Sequence, residues 1–482
     1  MPFPSTLLRL PATAVMLSLC ACAGNNGTDA DATAALRTPL PEQWQNPAPP
    51  PADGTDATAT TTALATWWSR FDDTVLNELV ATALKDSPDV RTALSRIAES
   101  RARRGIARAG LLPSLSAGVA ARDNYRRDHN AHRTTSGDSY SAALDASWEI
   151  DLFGKNTASF AAATAELAQA QENFHAAQVT LVAEVATAYV ALRAAETQLA
   201  VVERNLETRR ESTRLTQWRE QAGTGNSLDV QQAVSTLEQA RASLPAIHGT
   251  IERERNRLAT LTGKTPHALD TLLAPVHRVP APPPALALGI PADTLRQRPD
   301  IRAAERAVEA AVQHTRAADS ERYPTLNLSG SIGIEALKAG NLFSPDATVG
   351  SLLAGLTAPL FDGGRISQNI AIRDELQKQA LLAYETAVLA ALAEVENALS
   401  DLQRAAERLD VLKNATTAAA SAAALALLQY QSGQVDFSTV LDTQRLLLSL
   451  EEQTVATTAD QTTAHIRLYK ALGGGWTNTA EN

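Results

Sequence analysis

The chain has 482 residues, a formal net charge of −10 and only 4 % aromatic residues. Length alone would allow about two to four ordinary domains. So little aromatic bulk leaves a thick globular core hard to fill, whereas small residues suit long, closely packed helices. The acidic balance argues against nucleic-acid binding, which needs a basic face.

Arg9, the mostly apolar run Leu10–Leu19 and the sequence Leu19-Cys20-Ala21-Cys22 have the layout of a secretory signal. The last four residues resemble a lipobox, whose cysteine becomes the acylated first residue of a bacterial lipoprotein. Cys22 fits best, because small Ala21 precedes it, whereas a bulky Leu19 precedes Cys20. The competing reading is a plain signal peptide with incidental cysteines. Residues 1–21 are thus expected to be signal and 22–62 a lipid-anchored extended leader, rich in Ala, Thr, Asp and Pro. By the same resemblance, Ala23 after the cysteine favours sorting to an outer membrane. No later run approaches 18 consecutive apolar residues, so a membrane span would have to be made of strands.

Order is expected from Trp67-Trp68 onward, with the amphipathic run Leu76, Leu79, Val80, Ala83 and Leu84. Pro88-Asp89 has the chemistry of a first helical turn. After Pro113 the period changes from 3.6 to 2. Two strands are expected at about 113–123 and 139–152, where Tyr140, Ala142, Leu144, Ala146, Trp148 and Ile150 alternate with mostly polar residues. Two more are expected at about 324–335 and 349–361. Four strands, apolar on one face, match a transmembrane barrel. Four cannot close around water, so copies must associate, and three would supply twelve.

Between the strand pairs lie uninterrupted helical patterns, at about 155–222 and 365–431. In the first, Leu181, Val185, Ala188, Leu192, Ala195, Leu199, Val202 and Leu206 form a heptad seam. Sixty-odd residues of helix extend roughly 100 Å. Each ends in a glycine turn and is followed by a returning helix, at about 227–262 and 438–472.

The chain is written twice. Pro88 and Pro113 recur as Pro299 and Pro324 at an offset of 211, and Gly223 recurs as Gly433 at 210. Residues 63–275 form one repeat and 292–472 the other. A proline-rich connector, 276–291, joins them, and 473–482 is expected to be a tail. A unit of some 200 residues is far longer than a solenoid repeat, so the halves are pseudo-equivalent parts of one architecture.

Trp67-Trp68…Phe71-Asp72, Ser147-Trp148-Glu149-Ile150-Asp151-Leu152-Phe153-Gly154 and Arg298-Pro299-Asp300-Ile301 carry a family resemblance. So do Pro359-Leu360-Phe361-Asp362-Gly363-Gly364, Glu394-Val395-Glu396-Asn397 and Leu472-Gly473-Gly474-Gly475-Trp476. In this order they resemble the TolC/OprM-like outer membrane efflux proteins, specifically the NodT-type lipoproteins. The resemblance implies an α+β membrane channel, a homotrimer with a 12-stranded transmembrane β-barrel continuous with a 12-helix periplasmic α-barrel. A small mixed equatorial domain surrounds the middle. It further implies a passive exit duct for an inner-membrane RND-type pump, joined through a periplasmic adaptor, with no enzymatic activity, no cofactor beyond the lipid on Cys22 and no nucleic acid.

The family's gate carboxylates map onto Asp229 and Asp442, and an aperture tyrosine onto Tyr430. Departures are Thr439, where some relatives have a second aspartate, and Val435, where they have a basic partner. Helix-end solvation is the plainer account of both aspartates. Gly223, Gly225, Ser227, Gly433 and Val435 are expected at tips that meet the adaptor, where simple turn chemistry is the plainer account. His129 and His132 are flanked by Arg126, Arg127 and Arg133, which reads as a solvated loop rather than a metal site. Two alternatives remain: a duct for type I protein secretion, and a non-channel periplasmic coiled-coil lipoprotein.

Overall fold

The computed structural model describes residues 41, 43–46, 64–128, 133–275, 278–282 and 295–476. All of these fall in one unit, Leu40–Asn482. Cys22, His129 and His132 lie outside the described residues, as does most of the connector 276–291.

Helix α1 (Thr74–Asp86) starts where the Asp73 carboxylate accepts the Leu76 amide, and α2 (Pro88–Ala109) follows with proline in its first turn. Strands β1 (Ser114–Asp128) and β2 (Arg133–Ile150) come next. The helical hairpin of α3 (Lys155–Gln221) and α4 (Ser227–Leu261) completes the first half. The second half repeats the order with α5 (Pro299–Ser320), β3 (Thr325–Ala336), β4 (Thr348–Thr357), α6 (Arg365–Gln431) and α7 (Phe437–Ala471).

All four hairpin helices stop in the same way. Gly223, Gly263, Gly433 and Gly473 each follow the last helical turn with φ between 69° and 77°. After α3, the Gly223 amide bonds to the Glu220 carbonyl and the Thr224 amide to the Arg219 carbonyl, both at 2.9 Å. The same pair of bonds recurs after α4, α6 and α7. These are Schellman closures, in which glycine takes a left-handed conformation that satisfies two orphan carbonyls.

The strands form one antiparallel sheet in the order β1-β2-β3-β4. Opposed residues share a face, so the register can be read across it. Leu144 stands between Ala117 and Ile332, and Ala146 between Leu115 and Gly330. Gly330 and Leu328 oppose Leu352 and Ala354. One face is therefore apolar through all four strands, while Asp145, Ser147, Asn327 and Ser331 share the other. Leu353 and Val349 are apolar exceptions on that second face.

Two strand limits differ from expectation. The alternation predicts strands ending at about 123 and resuming at about 139, yet β1 and β2 stay paired as far as Asp128 and Arg133. Their backbones satisfy one another whatever the side chains are. Conversely, β4 stops at Thr357, so Ala358 and Leu360 lie beyond it. Pro359 cannot donate a ladder hydrogen bond, and Leu360 and Phe361 are almost fully exposed.

The principal core sits midway along the hairpins. Trp67 is fully buried and stacks on Tyr469 of α7, with ring centroids 5.3 Å apart. Leu76, Leu79 and Val80 of α1 join Leu181, Val185, Ala188 and Leu192 of the α3 seam. The Tyr189 hydroxyl donates to Asp73 at 2.8 Å, tying α3 to the cap of α1. The expected tail begins as part of this packing. The Gly475 amide bonds to the Leu64 carbonyl, and Trp476 stacks on His175 at 4.4 Å. Both 67-residue helices contain an eighteen-residue window apolar enough by composition to cross a membrane. In α3 most of that window is inside the fold, so core packing accounts for it.

Candidate channel and gate site

At the end remote from the sheet, the turns of the two hairpins lie side by side. Tyr430, in the last turn of α6, is buried against Phe437, Val440 and Leu441 of α7 and Ala233 of α4. Burial raises its pKa, the negative charge of Asp229 adds to the shift, and the Arg219 cation opposes it without cancelling it. The phenol therefore stays neutral and able to donate. Asp229 occupies the first turn of α4, where its amide is capped by the Asn226 side chain at 2.9 Å and its charge complements the helix dipole.

A further residue completes this group. Arg219, in the last turn of α3, donates from Nη1 to the Tyr430 carbonyl at 2.6 Å. Its guanidinium carbon lies 4.5 Å from the centre of the Tyr430 ring. A cation at the C-terminal ends of α3 and α6 is favoured by both dipoles. Sequence reasoning missed Arg219, because its partner stands 211 positions away. A signal existed: a basic residue two positions before the helix end, where the second repeat has Gln429.

Asp442 does not join this cluster among the described contacts. It is exposed on α7 and lies 3.7 Å from Arg445, one turn on. The tip residues also divide. Gly223, Ser227 and Gly433 are exposed, whereas Val435 is half-buried and packs against the Tyr430 cluster. A Cβ on Gly225 would lie 3.1 Å from the Arg219 Cβ. Gly225 thus fits the first turn closely over Arg219.

Midway along the hairpins, Glu394-Val395-Glu396 divides its labour. Val395 is fully buried, and Glu394 accepts from Arg298 at 2.8 Å. Glu396 accepts the Gln45 amide at 2.7 Å and the Asn46 side chain at 2.8 Å, so the leader is fastened to α6.

The family model for outer membrane efflux proteins matches residues 79–264 and 290–474, so each repeat is matched separately. The chain belongs to the outer membrane efflux protein family. As a family member it is an outer membrane channel of an efflux pump and not an enzyme. The probable efflux pump outer membrane protein SepC of Pseudomonas putida is 31 % identical over 426 residues, covering 87 % of each chain. OprJ of Pseudomonas aeruginosa is 33 % identical over 422 residues, covering 85 % of this chain and 86 % of OprJ. Among solved structures, the outer-membrane channel OprN superposes with a TM-score of 0.83 at 32 % identity, over 92 % of this chain and 96 % of that one. The open state of the Neisseria gonorrhoeae MtrE channel gives 0.77 at 28 % identity, over 92 % and 99 %. These neighbours are trimeric channels, and the four-strand sheet with two long hairpins is the same fold. Efflux proteins of this family work with adaptor and inner-membrane pump components.

Proposed function

We propose that three copies of this outer membrane efflux protein form one duct that conducts drugs or other small molecules outward from an RND-type inner-membrane pump and its periplasmic adaptor. One observation carries the reading. Among the described residues the sheet has two unpaired edges, β1 and β4, and an exposed apolar face bearing Leu115, Val119, Leu352 and Leu356. Such a sheet is stable only when its edges are paired and that face is covered by lipid. Edge-to-edge closure of copies into a barrel achieves both. A coiled-coil scaffold would have no use for it.

The lipid anchor is part of the proposal. The leader residues 44–46 are fastened at Glu396, 31 positions into α6, or about 46 Å from its start beside the sheet. From Cys22 to Trp44, an extended chain can reach roughly 75 Å, enough to return to the membrane. Asp229, Asp442 and Tyr430 are proposed at the periplasmic gate, and Gly223, Gly225, Ser227, Gly433 and Val435 at the tips that meet the adaptor.

The test is reconstitution of the purified trimer in planar bilayers. The expected result is a small, cation-selective conductance blocked by divalent ions, with the block relieved by Asp442→Ala. An unchanged block would remove Asp442 from the gate. A deletion strain that retains drugs and becomes susceptible supports small-molecule efflux, whereas loss of a secreted protein would favour the secretion duct instead.

A further inference from the structure

We propose that Arg219 is the lock between the two helical hairpins of each chain, and that the closed width of the periplasmic mouth is set by its grip on Tyr430. The inference rests on reading this end as the gate, and it names a residue outside the carboxylate and tyrosine set.

The geometry is specific. To widen the mouth, the α6–α7 turn must move away from the α3–α4 turn. Arg219 bridges the two, with Nη1 on the Tyr430 carbonyl at 2.6 Å and the guanidinium 4.5 Å from the Tyr430 ring centre. The carbonyl it meets belongs to the final turn of α6 and already accepts the Gly433 amide at 3.0 Å. A charge-assisted second bond there is stronger than a neutral one.

Arg219 is itself held rigidly. Its own carbonyl accepts the amides of Thr224 and Gly225, both at 2.9 Å, and Gly225 packs on its Cβ. The arginine is therefore built into the first turn and reaches into the second. The repeats differ at this point. Gln429 occupies the matching position in the second half, and Val435 matches Gly225. With valine at 435, the second turn does not supply a cation there. The positive charge facing Tyr430 comes from the first hairpin instead, and the negative charge of Asp229 acts on the same phenol from α4.

Lysine cannot reproduce the arrangement. It keeps the charge but lacks the planar fork that bonds a carbonyl while lying over a ring. Tyr430→Phe removes the hydroxyl and leaves both Arg219 contacts possible, since these use the backbone and the ring.

The experiment compares single-channel conductance of Arg219→Ala, Arg219→Lys, Tyr430→Phe and Asp229→Asn, each first shown to run as an intact trimer. The expected order of opening is Arg219→Ala first, by about two-fold or more, then Arg219→Lys, with Tyr430→Phe opening the channel least of the three. If Asp229→Asn or Tyr430→Phe widens the channel while Arg219→Ala leaves it unchanged, the gate stands and Arg219 is not its lock. If none of the four alters conductance in intact trimers, this end is not the constriction and both readings fall. Should Arg219→Ala not assemble, Arg219→Lys decides: parental conductance overturns the proposal, and raised conductance supports it.

Discussion

Gly263 stands so close to Asp86 that a Cβ added to it would lie 2.5 Å from the Asp86 carbonyl oxygen. The end of the first hairpin is thereby pressed onto the end of α1, and Lys264 reinforces the contact with a 2.7 Å bond to the Asp86 carboxylate. Gly473 meets Arg298 in the same way in the second half, at 3.1 Å. Gly223 has nearly the same φ, 70°, but open space around its Cβ position. Gly223→Ala is expected to cost only the left-handed penalty of about 1–2 kcal/mol. Gly263→Ala must also displace backbone, and should lower thermal stability distinctly further. Equal losses in melting experiments would show that the Gly263–Asp86 approach is not tight.

Arg298 gathers three elements. It donates to the α7 carbonyl of Ala471 at 2.8 Å, to Asp300 at 2.7 and 3.0 Å, and to Glu394 of α6 at 2.8 Å. Its side chain is 7 % exposed, whereas Glu394 is 55 % exposed. Arg298→Ala leaves a buried carbonyl unpaired and is expected to cost about 2–4 kcal/mol. Glu394→Ala removes one half-solvated charge, and its expected cost is under about 1 kcal/mol. Denaturant titration of the two variants checks the order. A larger loss from Glu394→Ala would mean that the ion pair, and not the carbonyl bond, holds the joint.

The same joint should sense acid. Burial alone would raise the Asp300 pKa, but Arg298 and the Ile301 amide outweigh it and hold the carboxyl below its usual value. A depressed native pKa contributes stability that is present above the unfolded carboxylate pKa and is lost as pH falls through the native one. Thermal stability should therefore decline from about pH 4 downward. Asp300→Asn should start less stable at neutral pH and decline less steeply. Parallel pH profiles for the two proteins would contradict this account of the joint.

Much of this architecture was written in local chemistry. Strand alternation, the α3 seam and the glycines after each long helix depend on neighbours within a few residues, so residues such as Leu144, Val185 and Gly433 declare themselves. The roles of Arg219, Arg298 and Glu396 do not, because each partner lies elsewhere in the chain: Tyr430, Glu394 and Asn46. The strand ends failed for the opposite reason. The alternation fades after about 123 and resumes at about 139, but backbone pairing does not require apolar side chains, and the ladder extends to Asp128 and Arg133. Val435 shows what a turn pattern leaves unsaid. It belongs to a turn and is expected at a tip, and it also packs into the Tyr430 cluster, a contact that only the meeting of two hairpins creates.

The two faces of the sheet should respond oppositely to one added charge. Leu144 lies in the apolar band between Ala117 and Ile332, while Ser331 lies on the other face, opposite Asp145. If the apolar face meets lipid, Leu144→Arg near the membrane midplane costs roughly 2–4 kcal/mol in each copy. Three copies in one barrel multiply that burden, so the heat-resistant trimer should not form. Ser331→Arg adds the same charge beside a carboxylate on the wet face. It should assemble normally and weaken the preference for cations, measured as a shift in reversal potential across a salt gradient. A trimer that tolerates Leu144→Arg and is lost with Ser331→Arg would reverse the assignment of the faces. Asp145, Glu149 and Glu335 share a face with Ser331, and such a reversal would leave three carboxylates per chain against hydrocarbon, an arrangement that lipid strongly disfavours.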